Sequence, residues 1–239
     1  MRFLPLIFAL GVAACTPVMV ETPNTPPLPA LQAAPDLPKV SSRQAARNFN
    51  TAVTRIEPLA EQWCRRETSG QNCDFLIVVD DRPNQPVNAY QTLDRNGRPV
   101  LAFTIPMIEE ARNVDEIAFV MAHEAAHHIK GHIARAQSNA MVCAALSGLL
   151  AGALGASDPA TIDQFTRVGA SVGARSYSKE FELEADALGT RIAAAAGFDP
   201  LRGAQFFFRV PDPGDRFLGT HPPNADRLRT VQRVAAGVQ

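Results

Sequence analysis

The stretch from Asn113 to His132 limits what this chain can fold into more than any other. It opens Asn-Val-Asp-Glu-Ile, so Asn113 stands at a helix N-cap and Glu116 falls at the third helical position, the reciprocal partner of a capping box. Ile117, Val120 and Met121 then begin an apolar face at helical spacing. The same helix carries His123, Glu124, Ala125, Ala126, His127, His128 and His132, and so holds four of the chain's five histidines. Side chains four residues apart stack one turn above another, so His123 and His127 present both rings to one point in space. That geometry suits two ligands of one zinc ion. Glu124, about 100° around the helix from His123, is off the ligand line but within reach of a water there, where a general base belongs. His128 and His132 lie roughly 100° and 140° around from His127 and read as flank or surface histidines.

A catalytic zinc takes a third protein ligand and keeps one position open. The next polar helix, expected from about Ser178 to Ala196 and ended by Gly197 and Pro200, carries Glu180, Glu182, Glu184 and Asp186. Helical spacing puts Glu182 and Asp186 on one face, with Glu184 roughly 160° away. One carboxylate of such a pair can bind the metal while the other, one turn on, hydrogen-bonds a ligand histidine and fixes its tautomer. Spacing alone allows Glu180 with Glu184 equally well.

With 239 residues, 46% of them hydrophobic, the chain can bury a real core, and its length favours one domain. A net charge of −1, with both signs mixed throughout, excludes a nucleic-acid footprint and argues against a polyanionic partner. From Ser41 to about Arg66, Ala46, Phe49, Val53, Ile56 and Leu59 or Ala60 recur at helical steps toward Trp63, and Pro58 is a point where that helix can kink. Residues 74–81, 87–93 and 100–105 are short β-prone runs, the last two joined by the turn-forming sequence Asp-Arg-Asn-Gly-Arg-Pro. Together these imply an α+β fold, mainly helical, with a small, largely antiparallel sheet. Residues 140–156 are apolar and rich in Gly and Ala, too short for a confident membrane span. They read as a buried helix or helical hairpin, with peripheral membrane contact as the alternative.

The N-terminus, MRFLPLIFALGVAAC, has one Arg and an apolar run too short to cross a bilayer, and is expected to be a signal peptide over residues 1–14. Val12, Ala13, Ala14 and Cys15 resemble the bacterial lipobox, which implies lipid attachment at Cys15. Thr16 rather than Asp after it implies the outer membrane more than the inner, on the periplasmic side. Residues 15–40 then form a Pro-rich tether, and a domain over residues 41–239 follows. Cys64 and Cys73 can pair in an oxidising compartment, whereas Cys143, in the apolar run, reads as a small buried hydrophobe.

His123-Glu-Ala-Ala-His127, followed 55 residues later by Glu182-Leu-Glu-Ala-Asp186, resembles the zinc peptidase family of the CAAX prenyl endopeptidases and HtpX-type heat-shock proteases, particularly its periplasmic lipoprotein branch. The resemblance runs from about Val87 to Arg229. It implies a zincin-like metalloprotease domain with one Zn2+, Glu182 as third ligand and Asp186 as the supporting carboxylate. His221, Pro222, Pro223 and Arg227 resemble a His-Pro segment of that family, which implies that His221 stabilises the oxyanion or occupies the water position as a switch, with Arg227 as a second oxyanion donor. Val87, Asn88, Ala89 and Tyr90 resemble a strand beside the family's cleft, which implies pairing of Asn88 and Ala89 with an extended substrate. The chain departs from the family between Asp94 and Pro99, where a Gly-Gly turn is common. The resemblance implies a lipid-anchored zinc endopeptidase of the envelope acting on misfolded or stalled polypeptides. The rival reading is an outer-membrane assembly factor or chaperone that keeps the zinc site with little proteolysis. Outer-membrane assembly proteins are the partners either reading implies.

Overall fold

The computed structural model describes residues 31–33, 37–175, 178–209 and 222–237. Cys15 with its preceding apolar run, and His221, lie outside the described residues. Those residues divide into two compact units: one holds residues 132–181, the other the described residues on either side of that segment.

In the larger unit, Ser41 caps helix α1 (Ser42–Glu67), its hydroxyl accepting from the Gln44 amide. Ala45, Phe49, Ala52, Ile56, Ala60 and Cys64 form the buried stripe. The helix continues through Pro58, whose exposed position leaves the unpaired carbonyl one turn earlier to water. A disulfide joins Cys64 at the end of α1 to Cys73. Strands β1 (Leu76–Asp80), β2 (Ala89–Leu93) and β3 (Pro99–Thr104) form one sheet in the order β1-β3-β2. β3 pairs antiparallel with β2, as the turn between them predicts, and parallel with β1. The sheet is therefore mixed, with one ladder of each kind. Turn residues set hairpins between neighbours in sequence, but burial sets strand order. Leu101, Phe103, Ala102 and Thr104 of β3 are all buried, which puts β3 in the centre and leaves β2 at an edge.

Between that sheet and α1 runs the core, with Phe103 edge-on to Phe49 at 5.3 Å. After the short helix α2 (Ile105–Glu110), α3 (Val114–Ile129) begins as expected. The Asn113 side chain accepts from the Glu116 amide at 3.0 Å, and the Glu116 carboxylate accepts from the Arg112 amide at 2.8 Å. Glu116 is only 1% exposed and is neutralised by Arg209, which donates both terminal nitrogens to it. α3 is buried on nearly every side. Gly131, at φ 65°, ends it in a conformation that a side chain would disfavour. The disulfide-closed loop packs on this last turn, since His128 donates to the Asn72 carbonyl at 2.7 Å and Lys130 pairs with Glu67 at 3.0 Å. This unit is completed by the C-terminal part of α6 (Ser178–Ala195), the short α7 (Pro200–Gly203) with a 3-10 turn over Ala204–Phe208, and α8 (Asn224–Gly237).

The smaller unit is a helical hairpin, α4 (His132–Ala153) against α5 (Pro159–Arg175), with the start of α6. A Cβ placed on Gly169 would lie 2.4 Å from the Cys143 carbonyl, and one on Gly173 would lie 2.3 Å from the Asn139 carbonyl, so the two backbones touch. Cys143 is buried there and is disulfide-bonded, which corrects its reading as a plain buried hydrophobe. Residues 140–153 lie on one helix, so the hairpin expected within residues 140–156 is instead made by α4 with the later helix α5. The alternative of a buried helix fails, because close packing buries the small residues and turns Met141, Val142 and Leu149 outward. No described helix is long and apolar enough to cross a membrane.

Removing the Glu116 carboxylate strips α3 of its cap partner and leaves the half-buried Arg209 with only the more distant Glu110, at 3.9 Å. Glu116→Ala is expected to lower unfolding free energy by about 3–5 kcal/mol, measured by urea denaturation followed by circular dichroism. A loss below about 1 kcal/mol would show that Arg209 contributes only as a surface ion pair.

Candidate metal centre

Helix α6 brings its carboxylates to α3 because Ala185, Gly189 and Ala193 are buried on the same side as Glu182 and Asp186. One turn on, a Cβ at Gly189 would come within 2.9 Å of the His123 amide nitrogen and 3.0 Å of its Cα. Glycine at this position lets α6 sit directly on the turn that carries His123. The sequence contained this signal, Gly189 three residues after Asp186, but only the packing gives it meaning.

His123 Nε2 and His127 Nε2 lie 3.0 Å apart. The Glu182 carboxylate approaches both, with Oε2 3.6 Å from His123 Nε2 and Oε1 3.3 Å from His127 Nε2. Among the described residues these three form the group of metal-binding side chains, with one donor atom each inside 4.8 Å. Two ligands at about 2.0–2.1 Å from a tetrahedral ion are separated by roughly 3.3 Å, and the three observed spacings bracket that value. The donors of the Glu182–Asp186 pair therefore fit a metal. The alternative pair of Glu180 and Glu184 is not in this group.

Behind the donors is a chain of hydrogen bonds. His123 Nδ1 donates to Asp186 Oδ1 at 2.9 Å, which leaves Nε2 to face His127 and Glu182. Asp186 is fully buried and is held bidentately by Arg227, with Nε to Oδ2 at 2.8 Å and one terminal nitrogen to Oδ1 at 2.7 Å. The other terminal nitrogen of Arg227 lies 3.5 Å from Glu182, and its guanidinium stacks over Phe207 at 4.0 Å. Glu124 is buried on α3, within electrostatic reach of Arg227. Three carboxylates, Glu124, Glu182 and Asp186, thus lie within electrostatic reach of one guanidinium. Carboxylates gathered in low-dielectric surroundings favour a bound cation or a retained proton between them.

The titration of the metal-free site reflects this. Burial disfavours a charged His123, but its hydrogen bonds to Asp186 and Glu182 outweigh burial and push it up to about 10, with Arg227 opposing. Burial would raise Asp186, but the charge and hydrogen bonds of Arg227, aided by His123, hold it below 3.8. A metal would have to displace the proton that His123 retains there.

The structure brings together His123, His127, Glu182, Asp186 and Arg227. Arg227 sits on Asp186, with two of its three nitrogens bonded there. Asn88 has its carbonyl bonded to the Thr104 amide at 3.0 Å and its amide to the Thr104 hydroxyl at 3.1 Å, so its backbone faces β3. By the alternation of an antiparallel ladder, Ala89 and Gln91 point their N–H and C=O groups to the free edge. β2 also packs along α3. The surface reading of His128 and His132 is corrected. His128 is buried against Phe75 and, its pKa lowered by burial, stays neutral, and His132 stacks on Phe181 at 4.5 Å in the hairpin unit.

A metal-binding trio on two packed helices, with its carboxylate support, defines a metallopeptidase type of site. Residues 52–235 match the model of peptidase family M48, and the chain belongs to that family. It is 37% identical over 132 residues to the putative beta-barrel assembly-enhancing protease of Vibrio cholerae, which covers 49% of this chain and 27% of that protein. It is 29% identical over 175 residues to the beta-barrel assembly-enhancing protease of Escherichia coli K12, covering 67% of this chain and 34% of the relative. Against the mitochondrial metalloendopeptidase OMA1 of Saccharomyces cerevisiae it is 29% identical over 170 residues, covering 66% of this chain and 46% of that protein. The chain therefore spans less than half the length of each of these relatives.

The buried Asp186–Arg227 pair generates an acid-stability prediction. A carboxylate with a depressed pKa contributes stability above its unfolded value of 3.8 that is lost as pH falls below it. In chelator, the wild type should lose stability more steeply between pH 5 and pH 3 than Asp186→Asn, which at pH 7 should be about 2–5 kcal/mol less stable. Urea melts at the two ends of that range measure both effects, and parallel pH profiles would place the titration elsewhere.

Proposed function

We propose that the chain is a zinc-dependent endopeptidase of the bacterial cell envelope. The observation that carries the reading is the His123, His127 and Glu182 trio, with donors at 3.0–3.6 Å from one another. When bound, zinc supplies Lewis acidity that polarises a peptide carbonyl and acidifies water. Glu124 takes the proton of the attacking water and passes it to the leaving amine. Asp186 keeps His123 in the ligating tautomer, and Arg227 acts through Asp186 as a positioning residue. This replaces the direct oxyanion role expected for Arg227 from the sequence, because its Nε and one terminal nitrogen are committed to Asp186. His221 is proposed as the oxyanion donor.

An extended substrate pairs with the free edge of β2 through the backbone of Ala89 and Gln91, and Asn88 holds the strand to β3. Cys15 is proposed as a lipid-bearing anchor that keeps the enzyme at the periplasmic side of the outer membrane. Misfolded or stalled envelope polypeptides are the substrates this reading implies, and the relatives' names as beta-barrel assembly-enhancing proteases support a place beside envelope assembly.

The test begins with metal content. Purified protein is expected to bind one zinc per chain by atomic emission. Glu124→Gln should keep the metal and lose peptide hydrolysis by about 10²–10⁴-fold. Glu182→Gln should lose zinc, and Glu184→Gln should retain it. Near-normal turnover of the Glu124 variant would remove that residue from the chemistry, and metal-replete but inactive wild type would favour the assembly-factor reading.

A further inference from the structure

The two histidines of the metal-binding trio are not equally secured by the helix that carries them. His123 lies well inside α3, and its ring is held by Asp186. His127 lies two residues from the end of α3, in the last turn, where backbone carbonyls run out of intrahelical donors and helices fray. A ligand there keeps its direction only if the turn is held from outside. Four contacts do so, and all come from residues 67–75, the link between α1 and β1. His128 donates to the Asn72 carbonyl at 2.7 Å, Phe75 meets the His128 ring edge-on at 5.3 Å, and Lys130 pairs with Glu67 at 3.0 Å. The Gln71 side chain comes so close to Gly131 that a Cβ there would lie 3.5 Å from its Nε2. The link is closed by the Cys64–Cys73 disulfide, and both cysteines are buried.

We propose that the Cys64–Cys73 disulfide is a positioning element for the metal ligand His127, acting through the Asn72 carbonyl and His128. The inference rests on the zinc reading given above. His128 points about 100° away from His127 around the helix, so the link holds the turn on a side the metal does not use and fixes the backbone from which His127 projects. The His128 bond carries most of this, because its ring is 9% exposed, whereas the Lys130–Glu67 pair is partly open to water and contributes little. Asn72 is the residue next to Cys73, and Cys64 is anchored in the buried stripe of α1 with no exposure. Residues 69–72 are exposed, so little packing keeps the Asn72 carbonyl in place once the bond is absent. Closing the bond passes two electrons and two protons from the two thiols to a disulfide-class oxidant, which is reduced to a dithiol. The metal site therefore reaches its full affinity only in a compartment that supplies such an oxidant. In a reducing compartment the same chain would hold zinc weakly and cleave little.

The test compares zinc affinity, by competition with a chromophoric chelator, in the full chain and in Cys64→Ala with Cys73→Ala, which leaves Cys15 and Cys143 untouched. The double variant is expected to bind zinc about tenfold or more weakly. His128→Phe keeps a ring against Phe75 but cannot donate to Asn72. It should weaken zinc binding by a similar factor with the disulfide intact, and it decides the matter if the cysteine variant does not fold. Because both changes act through one contact, their combination should cost less than the product of the two losses. Glu116→Ala, which loosens the opposite end of α3, is the control for general destabilisation, and folded chains of it should bind zinc within about twofold of wild type. In metal-free protein, amide hydrogen exchange at Lys130 and Gly131 should be about tenfold faster in the cysteine and His128 variants than in wild type. The proposal is overturned if those variants bind zinc or exchange as wild type does, if their losses multiply in full, or if Glu116→Ala weakens zinc binding as much as they do. Wild type that takes up no zinc would overturn the zinc reading and this inference with it, whereas zinc-binding wild type matched by its variants overturns this inference alone.

Discussion

Asp186 carries a negative charge with no exposure to solvent, a condition that survives only where every lone pair is answered and the charge is matched. Arg227 from α8 supplies the charge and two hydrogen bonds, and His123 from α3 supplies a third. The hydroxyl of Thr190 caps the Asp186 carbonyl within α6. Three helices are therefore tied at one carboxylate. The orientation of the His123 ring, and with it the direction of Nε2, follows from this tie. So does the position of Glu182, one turn before Asp186 on the same helix.

The surrounding core is arranged to allow this close approach. α3 has alanines at 122, 125 and 126, all buried, and α6 meets it through Gly189, so the backbones come together without large side chains between them. Larger apolar residues are kept for the outer layers, where Phe119 packs edge-on against Phe207 at 5.7 Å, and Phe207 in turn lies under Arg227. A site built on two packed helices, with its supporting groups on a third, holds its side chains more firmly than one built on loops. The disulfide-closed loop adds a brace beside the site, on the last turn of α3, through His128 and Lys130.

Much of this was legible in the sequence where the determinants were local. The Asn113–Glu116 cap, the stacking of His123 over His127 and the pairing of Glu182 with Asp186 all follow from helical spacing and residue type. The choice between Glu182–Asp186 and Glu180–Glu184 did not follow, because both pairs satisfy the spacing, and only the placement of Ala185, Gly189 and Ala193 against the core selects one. The environment of His128 was hidden for a related reason. Its rotation away from the ligand line was readable, but the Asn72 carbonyl that receives it is 56 residues away in sequence. The parallel pairing of β1 with β3 was likewise set by burial of the central strand rather than by any turn.

The sequence by itself determined which side chains could act together along one helix, since 3.6 residues per turn is a property of the backbone and holds before any tertiary contact forms. It also determined the apolar content of residues 140–156, though not which way those side chains face. The tertiary structure decided what depends on contacts between distant segments. It set the partner of each buried charge and put Ala89 and Gln91 on the open edge of the sheet. It also turned the apolar side of α4 outward, where Gly169 and Gly173 claim the inner side. The physical reason is the same in each case. Burial and charge compensation are satisfied by whichever groups come close in space, and chain spacing constrains those groups only within a few turns.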